Sequence, residues 1–484
     1  MKYIRHIAAT WTFVTLLISC GGGGSPAQQQ LFPPSSPLNI SSNAGSTVVS
    51  IGWQAPLYDG GTPLLDYELQ VSPSVSGSDI QISGTQALIK NLVNNINYEF
   101  AVIAINAVGS SAASDNITIT PKEATTTDYR SLTIAGEPGS PSGIYDPSLV
   151  QGGNGTHWLA YSSVNFYNDG AGDLVQDVGI RLASSLDGGD SFSYVATIAS
   201  PYDGSVTDSD PALSACGLSV CNGRWVYETS WLVEDSSDPD ATRRFKLFAH
   251  KYFVYPPRTG SKTLYHLGAI VMWTSSSPHD IWSAETVVLG WPLTTPDITP
   301  NQDFTLLDAE TANCILAAEG SVTALSNGLN FVFACPFNDP VTSTILQKII
   351  LLRSTNNASS FEYVSTLLTP ADAPVGVDFF SAPSLIAMED TAPVLLATPV
   401  VSGIYAGSMA FAFSDDNLLA LFRENNLPKP LLFVPVQAAG HFGGASSYAR
   451  GSKSNGVFQS DATIGAALVD TQFNILATQA MIDQ

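Results

Sequence analysis

From residue 129 onward the chain repeats one hairpin pattern: a short apolar run, a turn containing Gly or Asn, and a second apolar run. Copies begin at 146 ("DPSLVQGGNGTHWLAYSS"), 210, 319 and 382, with a weaker one at 444, so the starts are 64, 109, 63 and 62 residues apart. Repeats of this length cannot bury an apolar face alone and must stack on one another. The long interval then holds an insertion, which we place around "YFVYPPRTGSK" and "TTPDITPNQD".

A second element follows each hairpin, in which a serine precedes an apolar side chain by seven residues. The pairs are Ser185 and Phe192, Ser275 and Trp282, Ser354 and Phe361, and Ser414 and Leu421. The copy "SLDGGDSF" resembles the Asp-box of sialidases and other β-propellers, which implies a structural turn in which Asp187 accepts backbone N–H groups. Four strands per repeat and about five repeats predict an all-β fold with a C-terminal β-propeller. Five blades are favoured; six would require another blade inside the long interval.

Residues 33–121 alternate apolar and polar side chains between turn signals, which is typical of a β-sandwich. The segment resembles a fibronectin type III domain through Trp53 in an early strand, "DGGTPLLDY" leading to Tyr67, Leu92, and "YEFAVIAINAVGSS" with Tyr98. That resemblance implies a core role for Trp53 and Tyr67, and a tyrosine corner at Tyr98. Such a domain is a spacer or adhesion module rather than a centre of chemistry.

The N-terminus carries an export signal over residues 1–19, with Lys2 and Arg5 before the apolar run "IAATWTFVTLLIS". The run ends in "LISC", which resembles a bacterial lipobox and implies cleavage before Cys20 and lipidation of its thiol. Gly21 after the cysteine resembles outer-membrane sorting. The alternative is an ordinary cleaved signal. We therefore expect an exported protein attached to the bacterial outer membrane through its N-terminal lipid, with a tether over 20–32, the sandwich over 33–121, a linker over 122–128 and the propeller over 129–484.

The net charge of −23 argues against nucleic acid and anionic lipid surfaces as partners, because a strongly acidic chain repels polyanions. Only 13% of residues are charged and 44% are hydrophobic, which is typical of a folded chain. No phosphate-binding Gly loop precedes a predicted helix, so no nucleotide cofactor is expected. We expect a monomer.

Four cysteines remain beside Cys20, and an even count in an exported chain favours disulfides. Three connectivities are open. We prefer Cys216 with Cys221 across "CGLSVC", and Cys314 with Cys335 around one hairpin. A zinc site is disfavoured because no histidine has ligand-like spacing to these cysteines.

Three carboxylates start successive hairpins: Asp146 in "YDPSLV", Asp210 in "SDPALS" and Glu319 in "AEGSV". If the innermost strand of each blade lines a central funnel, all three lie near its mouth. Glycoside hydrolysis needs paired carboxylates on either side of a sugar, and crowding separates their pKa values into acid and base roles. The alternative is that Asp-Pro here is only a turn that begins a strand.

The same residues resemble the five-bladed furanosidase superfamily, which includes arabinanases, β-xylosidases and invertases. The resemblance implies that Asp146 is the base or nucleophile, that Asp210 orients the substrate and tunes the acid, and that Glu319 is the general acid. Two features depart from it: the long interval follows the second Asp rather than preceding it, and Tyr145 and Ser209 replace the invertase-type residues before each Asp. A non-catalytic propeller that contacts proteins or the cell envelope is therefore the second hypothesis.

Several weaker signals remain. A sialidase-like activity, the third hypothesis, is disfavoured because the arginines are scattered and no "Arg-Ile-Pro" start is present. Trp158, Trp225 and Tyr227 are either core residues between blades or platforms for a sugar. His441 in "GHFGG" is the one histidine at a predicted blade mouth. The Asp-rich loops 168–173 and 207–210 could hold structural calcium, although solvated turns explain them as well.

Overall fold

The computed structural model describes residues 30–45, 47–121, 129–152, 155–207, 220–255, 262–290, 300–387, 393–436, 441–444, 446–449, 456–463 and 468–477. The regular secondary structure of the described chain is nearly all β-strand, with only short helical turns. No helix among these residues is long and apolar enough to cross a membrane.

The N-terminal domain is a sandwich of two antiparallel sheets, ordered β1-β2-β5-β4 and β3-β6-β7. Its strands are β1 (Leu38–Gly45), β2 (Val48–Gln54), β3 (Leu64–Ser72), β4 (Ile80–Ser83), β5 (Gln86–Ile89), β6 (Tyr98–Asn106) and β7 (Ile117–Ile119), with a short 3-10 helix at Gly77–Asp79. Trp53 is buried and its ring packs edge-on against Tyr67 with centroids 5.2 Å apart. The hydroxyl of Tyr98 accepts a hydrogen bond from the backbone N–H of Val93 at 3.1 Å, which is the arrangement of a tyrosine corner.

Five blades form the C-terminal domain, entered through β8 (Arg130–Ser131) and β9 (Ile134–Ala135). Blade one contains β10 (Gly143–Gln151), β11 (His157–Asn168), β12 (Leu174–Ser185) and β13 (Phe192–Ala199). Blade two contains β14 (Tyr202–Thr207), β15 (Val220–Glu234), β16 (Phe245–Tyr255), β17 (Lys262–Ser275), β18 (Thr286–Gly290) and β19 (Gln302–Asp303). A four-residue helix, α1 (Ala309–Ala312), precedes blade three.

Blade three contains β20 (Ala318–Leu325), β21 (Gly328–Asn338), β22 (Ile345–Ser354) and β23 (Glu362–Leu368). Blade four contains β24 (Phe379–Ile386), β25 (Val394–Val401), β26 (Ile404–Tyr405), β27 (Gly407–Ala412), the small hairpin β28 (Arg423–Glu424) with β29 (Leu427–Pro428), and β30 (Pro430–Pro435). Blade five contains β31 (His441–Phe442), β32 (Ser446–Ala449), β33 (Gly456–Thr463) and β34 (Gln472–Ala477). Further 3-10 turns lie at Ala241–Arg243, Phe304–Leu306, Pro370–Asp372 and Leu468–Asp470.

The inner strands β10, β15, β20, β24 and β32 follow one another around the axis, and β32 returns to β10. The ring is closed by the first residues of the domain: β8 pairs with β34 of blade five and β9 pairs with β13 of blade one. The prediction of a propeller is therefore confirmed, with five blades.

Each of four inner strands has the same irregularity at the same place. The register to its neighbour shifts between Tyr145 and Ser148 in β10, and equivalent shifts occur in β15, β20 and β24. The bulged residue has a positive φ in every case: 53° at Asp146, 49° at Thr229, 43° at Glu319 and 42° at Ala382. A bulge bends a strand and re-aims a side chain, and here it occurs at the same level of all four blades.

This register corrects the assignment of the second repeat. The residue of blade two that is equivalent to Asp146 and Glu319 is Thr229, within "ETSWLV", and not Asp210. Asp210 itself lies outside the described residues, so its role stays a prediction. The error arose because "SDPALS" matches "YDPSLV" locally, whereas blade register is fixed by contacts between strands distant in sequence.

The serine-containing turns lie at the opposite end of the blades from the bulges. Ser185 pairs with His157, far from the bulge in β10, and its hydroxyl oxygen accepts a hydrogen bond from the Gly189 N–H at 2.8 Å. Ser354 accepts one from the Ala358 N–H at 3.0 Å in the same way. The side chains of Phe192 and Phe361 are buried beneath these turns.

The sandwich packs against blade four at this same end of the propeller. Val48 and Leu88 belong to an apolar cluster that contains Ile386 and Leu396. An ion pair also contributes to this contact between the domains: Lys90 Nζ lies 3.0 Å from a carboxylate oxygen of Glu424. The two domains therefore share a core, and the end of the propeller that carries the bulges faces away from this interface.

The disulfide between Cys314 and Cys335 is confirmed. Cys221 is also disulfide-bonded. Its predicted partner, Cys216, lies outside the described residues, as does Cys20.

Candidate functional site: three carboxyl groups at the propeller mouth

Asp146 is held in a fixed orientation by three neighbouring polar groups. Its Oδ2 accepts hydrogen bonds from the Ser162 hydroxyl at 2.7 Å and from the Thr229 N–H at 3.2 Å, while its own N–H donates to the Ser460 Oγ at 2.9 Å. These partners come from blades one, two and five, so the side chain points to the axis. Burial raises the pKa of Asp146 to about 6, and the bonds from Ser162 and Thr229 oppose that rise.

Glu319 occupies the equivalent position in blade three. The Tyr405 hydroxyl donates to its Oε2 at 2.5 Å, and the Ser381 hydroxyl lies 3.1 Å from the same oxygen. Burial raises the pKa of Glu319 to about 7; the bond from Tyr405 opposes the rise and the charge of Asp146 adds to it. The next residue, Gly320, has to be a glycine because a Cβ there would lie 2.2 Å from the carbonyl oxygen of Val332.

Glu228 is the third carboxyl group, supplied by blade two one residue before the bulge. The Tyr252 hydroxyl donates to its Oε2 at 2.7 Å. Burial and the charge of Asp146 raise the pKa of Glu228 to about 8, with a smaller contribution from Glu319. The charge of Asp146 thus acts on both Glu228 and Glu319, which places the three in one electrostatic cluster.

This cluster was only partly predicted. Asp146 and Glu319 were named from the sequence, whereas Glu228 was missed because the second repeat was placed too early. The sequence did contain a signal that could have located Glu228: "TSWLV" after Glu228 matches "DPSLV" after Tyr145 in its final Leu-Val pair.

The channel below the carboxyl groups is almost closed. A cavity of about 20 Å³ is lined by Asp146, Thr229 and Glu319. Pro147 and Ser384 also line it, deeper in the channel. This volume has room for about one water molecule. Chemistry on a larger molecule would therefore take place at the mouth.

The aromatic residues considered as sugar platforms lie in the core instead. Trp158, Trp225 and Tyr227 are 3%, 0% and 5% exposed, and the Trp158 ring packs edge-on against His279. Buried between strands, they present no face to a ligand. His441 begins β31 at the edge of blade five, but its side chain lies outside the described residues and its role stays a prediction.

No group of three or more His, Cys, Asp or Glu residues is arranged to hold a metal ion in the part of the chain that the structure describes. In the loop 168–173 the Asp169 carboxylate accepts the N–H groups of Ala171 and Asp173 at 2.8 and 3.0 Å, which is a turn contact. Most of the loop 207–210 lies outside the described residues.

Comparison with known proteins identifies the sandwich. Residues 33–120 match the fibronectin type III domain family. The mouse protein sidekick-2 is 27% identical over 119 residues, which are 22% of this chain and 5% of that protein, so the chain spans only a small part of this relative.

The propeller is similar in shape to several solved glycoside hydrolases. A family 117 glycoside hydrolase of Zobellia galactanivorans is 9% identical, with a TM-score of 0.41 over 73% of this chain and 90% of that one. An endo-arabinase of Bacteroides thetaiotaomicron is 14% identical, with a TM-score of 0.37 over 72% and 97%.

Proposed function

We propose that the propeller is a glycoside hydrolase whose reaction takes place at the mouth of its central channel. One observation carries the proposal: three consecutive blades aim Asp146, Glu228 and Glu319 at one mouth, with pKa values raised to about 6, 8 and 7. Carboxyl groups that titrate near neutrality can exchange protons at ordinary pH, which structural carboxylates in solvated turns do not do.

The roles follow from the order of the pKa values. Asp146 loses its proton first and acts as the base or nucleophile, fixed by Ser162 and the Thr229 N–H. Glu319 keeps its proton longer and protonates the leaving glycosidic oxygen as that bond breaks. Glu228 stays neutral at pH 7, so it does not add a second negative charge that would repel ionised Asp146. We assign to Glu228 the tuning of the acid, while the corresponding role of Asp210 stays a prediction.

Activity measurements on the soluble mature chain test this proposal. Arabinofuranosides and xylosides are the first substrates, since the motifs around Asp146 and Glu319 resemble furanosidases. We expect Asp146→Asn and Glu319→Gln each to lower kcat by about 10²- to 10⁴-fold. The rate should rise with pH as Asp146 ionises near 6 and fall as Glu319 loses its proton near 7. Glu362→Gln, at an exposed carboxylate of β23, is the matched control.

A non-catalytic propeller is the second candidate, favoured by the narrowness of the channel beneath the carboxyl groups. Glycan or protein binding without turnover, unchanged in Asp146→Asn and Glu319→Gln, would support it and contradict the hydrolase. The sialidase-like hypothesis has no such support.

We also propose that Cys20 anchors the protein to the outer membrane, as the "LISC" sequence indicates. A Cys20→Ser variant should lose labelling by radioactive palmitate and move from the membrane fraction to the soluble exported fraction. The Cys314–Cys335 disulfide should be intact in both forms. Membrane retention of Cys20→Ser without label would contradict the lipid anchor.

A further inference from the structure

A second cavity, of about 650 Å³, opens between blades one and two beside the mouth. Gly143, the first residue of β10, pairs with Val164, so the end of β11 and the start of β12 project beyond the mouth. The residues of β15 before Thr229 project in the same direction. The cavity lies between these two projections and is lined by Tyr167, Leu174, Asp203, Asn222, Arg224 and Val254.

The polar groups at the cavity wall are fixed in place by contacts with one another. Arg224 Nε lies 2.6 Å from Asp177 Oδ1, and its Nη1 lies 2.6 Å from Asp203 Oδ1. Burial, followed by the charge of Asp177, raises the pKa of Tyr167, so the two side chains lie close together. Tyr167 is 38% exposed as a residue and the Asp203 side chain is 84% exposed, so both can meet a ligand.

This combination fits a sugar. An aromatic ring offers a flat face to the C–H side of a pyranose or furanose, while fixed donors and acceptors bind neighbouring hydroxyl groups. Leu174 and Val254 supply the apolar remainder of the wall. The volume falls within the range of about 300–1,000 Å³ usual for small-molecule sites.

The charge of the wall selects among sugars. Arg224 is the one cation among the described lining residues, and Asp169 and Asp203 line the cavity with Asp177 directly behind Arg224. An acidic sugar would meet more like charge than opposite charge there. The wall therefore favours uncharged glycans.

The cavity is too far from the carboxyl groups to share one sugar with them. Arg224 precedes Glu228 by four residues of β15, or about 13 Å at about 3.3 Å per residue. We propose that this cavity binds a distal segment of an uncharged glycan chain whose reacting residue occupies the mouth. The inference rests on the proposed hydrolase function and adds to it a preference for chains over single sugars.

Calorimetric titration of the Glu319→Gln protein, in which turnover should be greatly slowed, tests this inference with length series of arabinan and xylan oligosaccharides. Affinity should rise with chain length. Adding Tyr167→Ala should weaken the longest members about tenfold, equal to about 1.4 kcal/mol, and leave the shortest unchanged. Tyr167→Phe should keep most of the affinity because it keeps the ring. Tyr58→Ala, at an exposed tyrosine of the sandwich, is the control.

The possible results separate the two proposals. Binding that does not depend on length or on Tyr167 contradicts this inference and leaves the hydrolase standing. Tighter binding of polygalacturonate oligosaccharides than of the neutral series contradicts the charge preference and so the inference. Absence of binding by every member, short or long, contradicts the proposed function together with the inference.

Discussion

At the mouth, the backbone conformation and the identity of the side chain contribute separately to the candidate site. The positive φ of Asp146 is shared by Thr229, Glu319 and Ala382, so it belongs to the blade and not to the chemistry. A non-glycine residue in this region costs on the order of 1 kcal/mol, which the surrounding ladders must offset. The fold thus provides a bent position in each of these four blades, and the side chain placed there decides whether it is reactive. Ala382 fills that position in blade four without a functional group.

The raised pKa values predict how stability depends on pH. Glu228 titrates near 8 in the folded protein and near 4.5 when exposed, so the folded state holds its proton more tightly. The stability from this group is fully present below about pH 4.5 and is lost as pH rises through about 8. Glu228→Gln should therefore raise the free energy of unfolding at pH 9 by at least about 1 kcal/mol and leave it nearly unchanged at pH 4.

Urea unfolding at the two pH values measures this difference, since the glutamine can still accept the Tyr252 hydrogen bond. Glu362→Gln should change stability little at either pH, because that carboxylate is exposed. Equal effects of Glu228→Gln at pH 4 and pH 9 would mean that Glu228 has the same pKa in the folded and the unfolded protein, so that neither burial nor the neighbouring carboxyl groups shift it.

At the level of elements, the recurring serine is a structural device with a clear local cause. Ser185 and Ser354 each satisfy a backbone N–H four residues later, closing the turn between the third and fourth strands of a blade. In both turns the neighbouring side chain adds a bond: Asp187 and Asn356 each accept the N–H of the residue four positions on, at 3.0 Å. Burial of Phe192 and Phe361 below them joins the turn to the core, far from the mouth.

Ser185→Ala should therefore destabilise the propeller without changing its activity. The Gly189 N–H loses its buried partner, which costs about 1–3 kcal/mol. A lower Tm with unaltered kcat and KM is the expected result. Ser193→Ala, on the exposed side of β13, should affect neither quantity. Loss of activity at temperatures where Ser185→Ala is still folded would contradict a purely structural role.

Across the whole molecule, the fibronectin type III domain is fixed to the end of the propeller opposite the mouth. The side chains of Val48 and Leu88 pack with residues of blade four rather than with the core of their own sandwich. Gln86 Nε2 also donates to Asp416 at 3.0 Å across the interface. If the chain is tethered through its N-terminal segment, its own fibronectin type III domain therefore does not cover the mouth.

Leu88→Glu should separate the two domains, because it places a carboxylate in an apolar interface without a partner. We expect a larger radius of gyration by small-angle X-ray scattering, with little change in the far-UV circular dichroism of the strands. Leu65→Glu introduces the same residue at a site that is 69% exposed and should leave the radius unchanged. An unchanged radius in Leu88→Glu would mean that the interface does not hold the domains together.

The sequence alone determined what depends on local pattern. Alternating polarity and turn residues defined the sandwich, and the resemblance to fibronectin type III domains indicated its corner tyrosine. The repeats defined a propeller, and the starts of two repeats located Asp146 and Glu319. Proximity in sequence also favoured the pairing of Cys314 with Cys335, which the structure confirms. Each of these features arises within one hairpin or one domain.

Only the tertiary structure decided which residues meet at the axis. Register around the ring depends on pairings between residues that are tens of positions apart in the chain. A local sequence match therefore misplaced the second repeat at Asp210. In the structure, strand β15 brings Glu228 and Thr229 to the mouth. The aromatic residues were likewise assigned to the core by packing between blades. The raised pKa values could not be read from the sequence either, because burial and neighbouring charge exist only once the blades have closed.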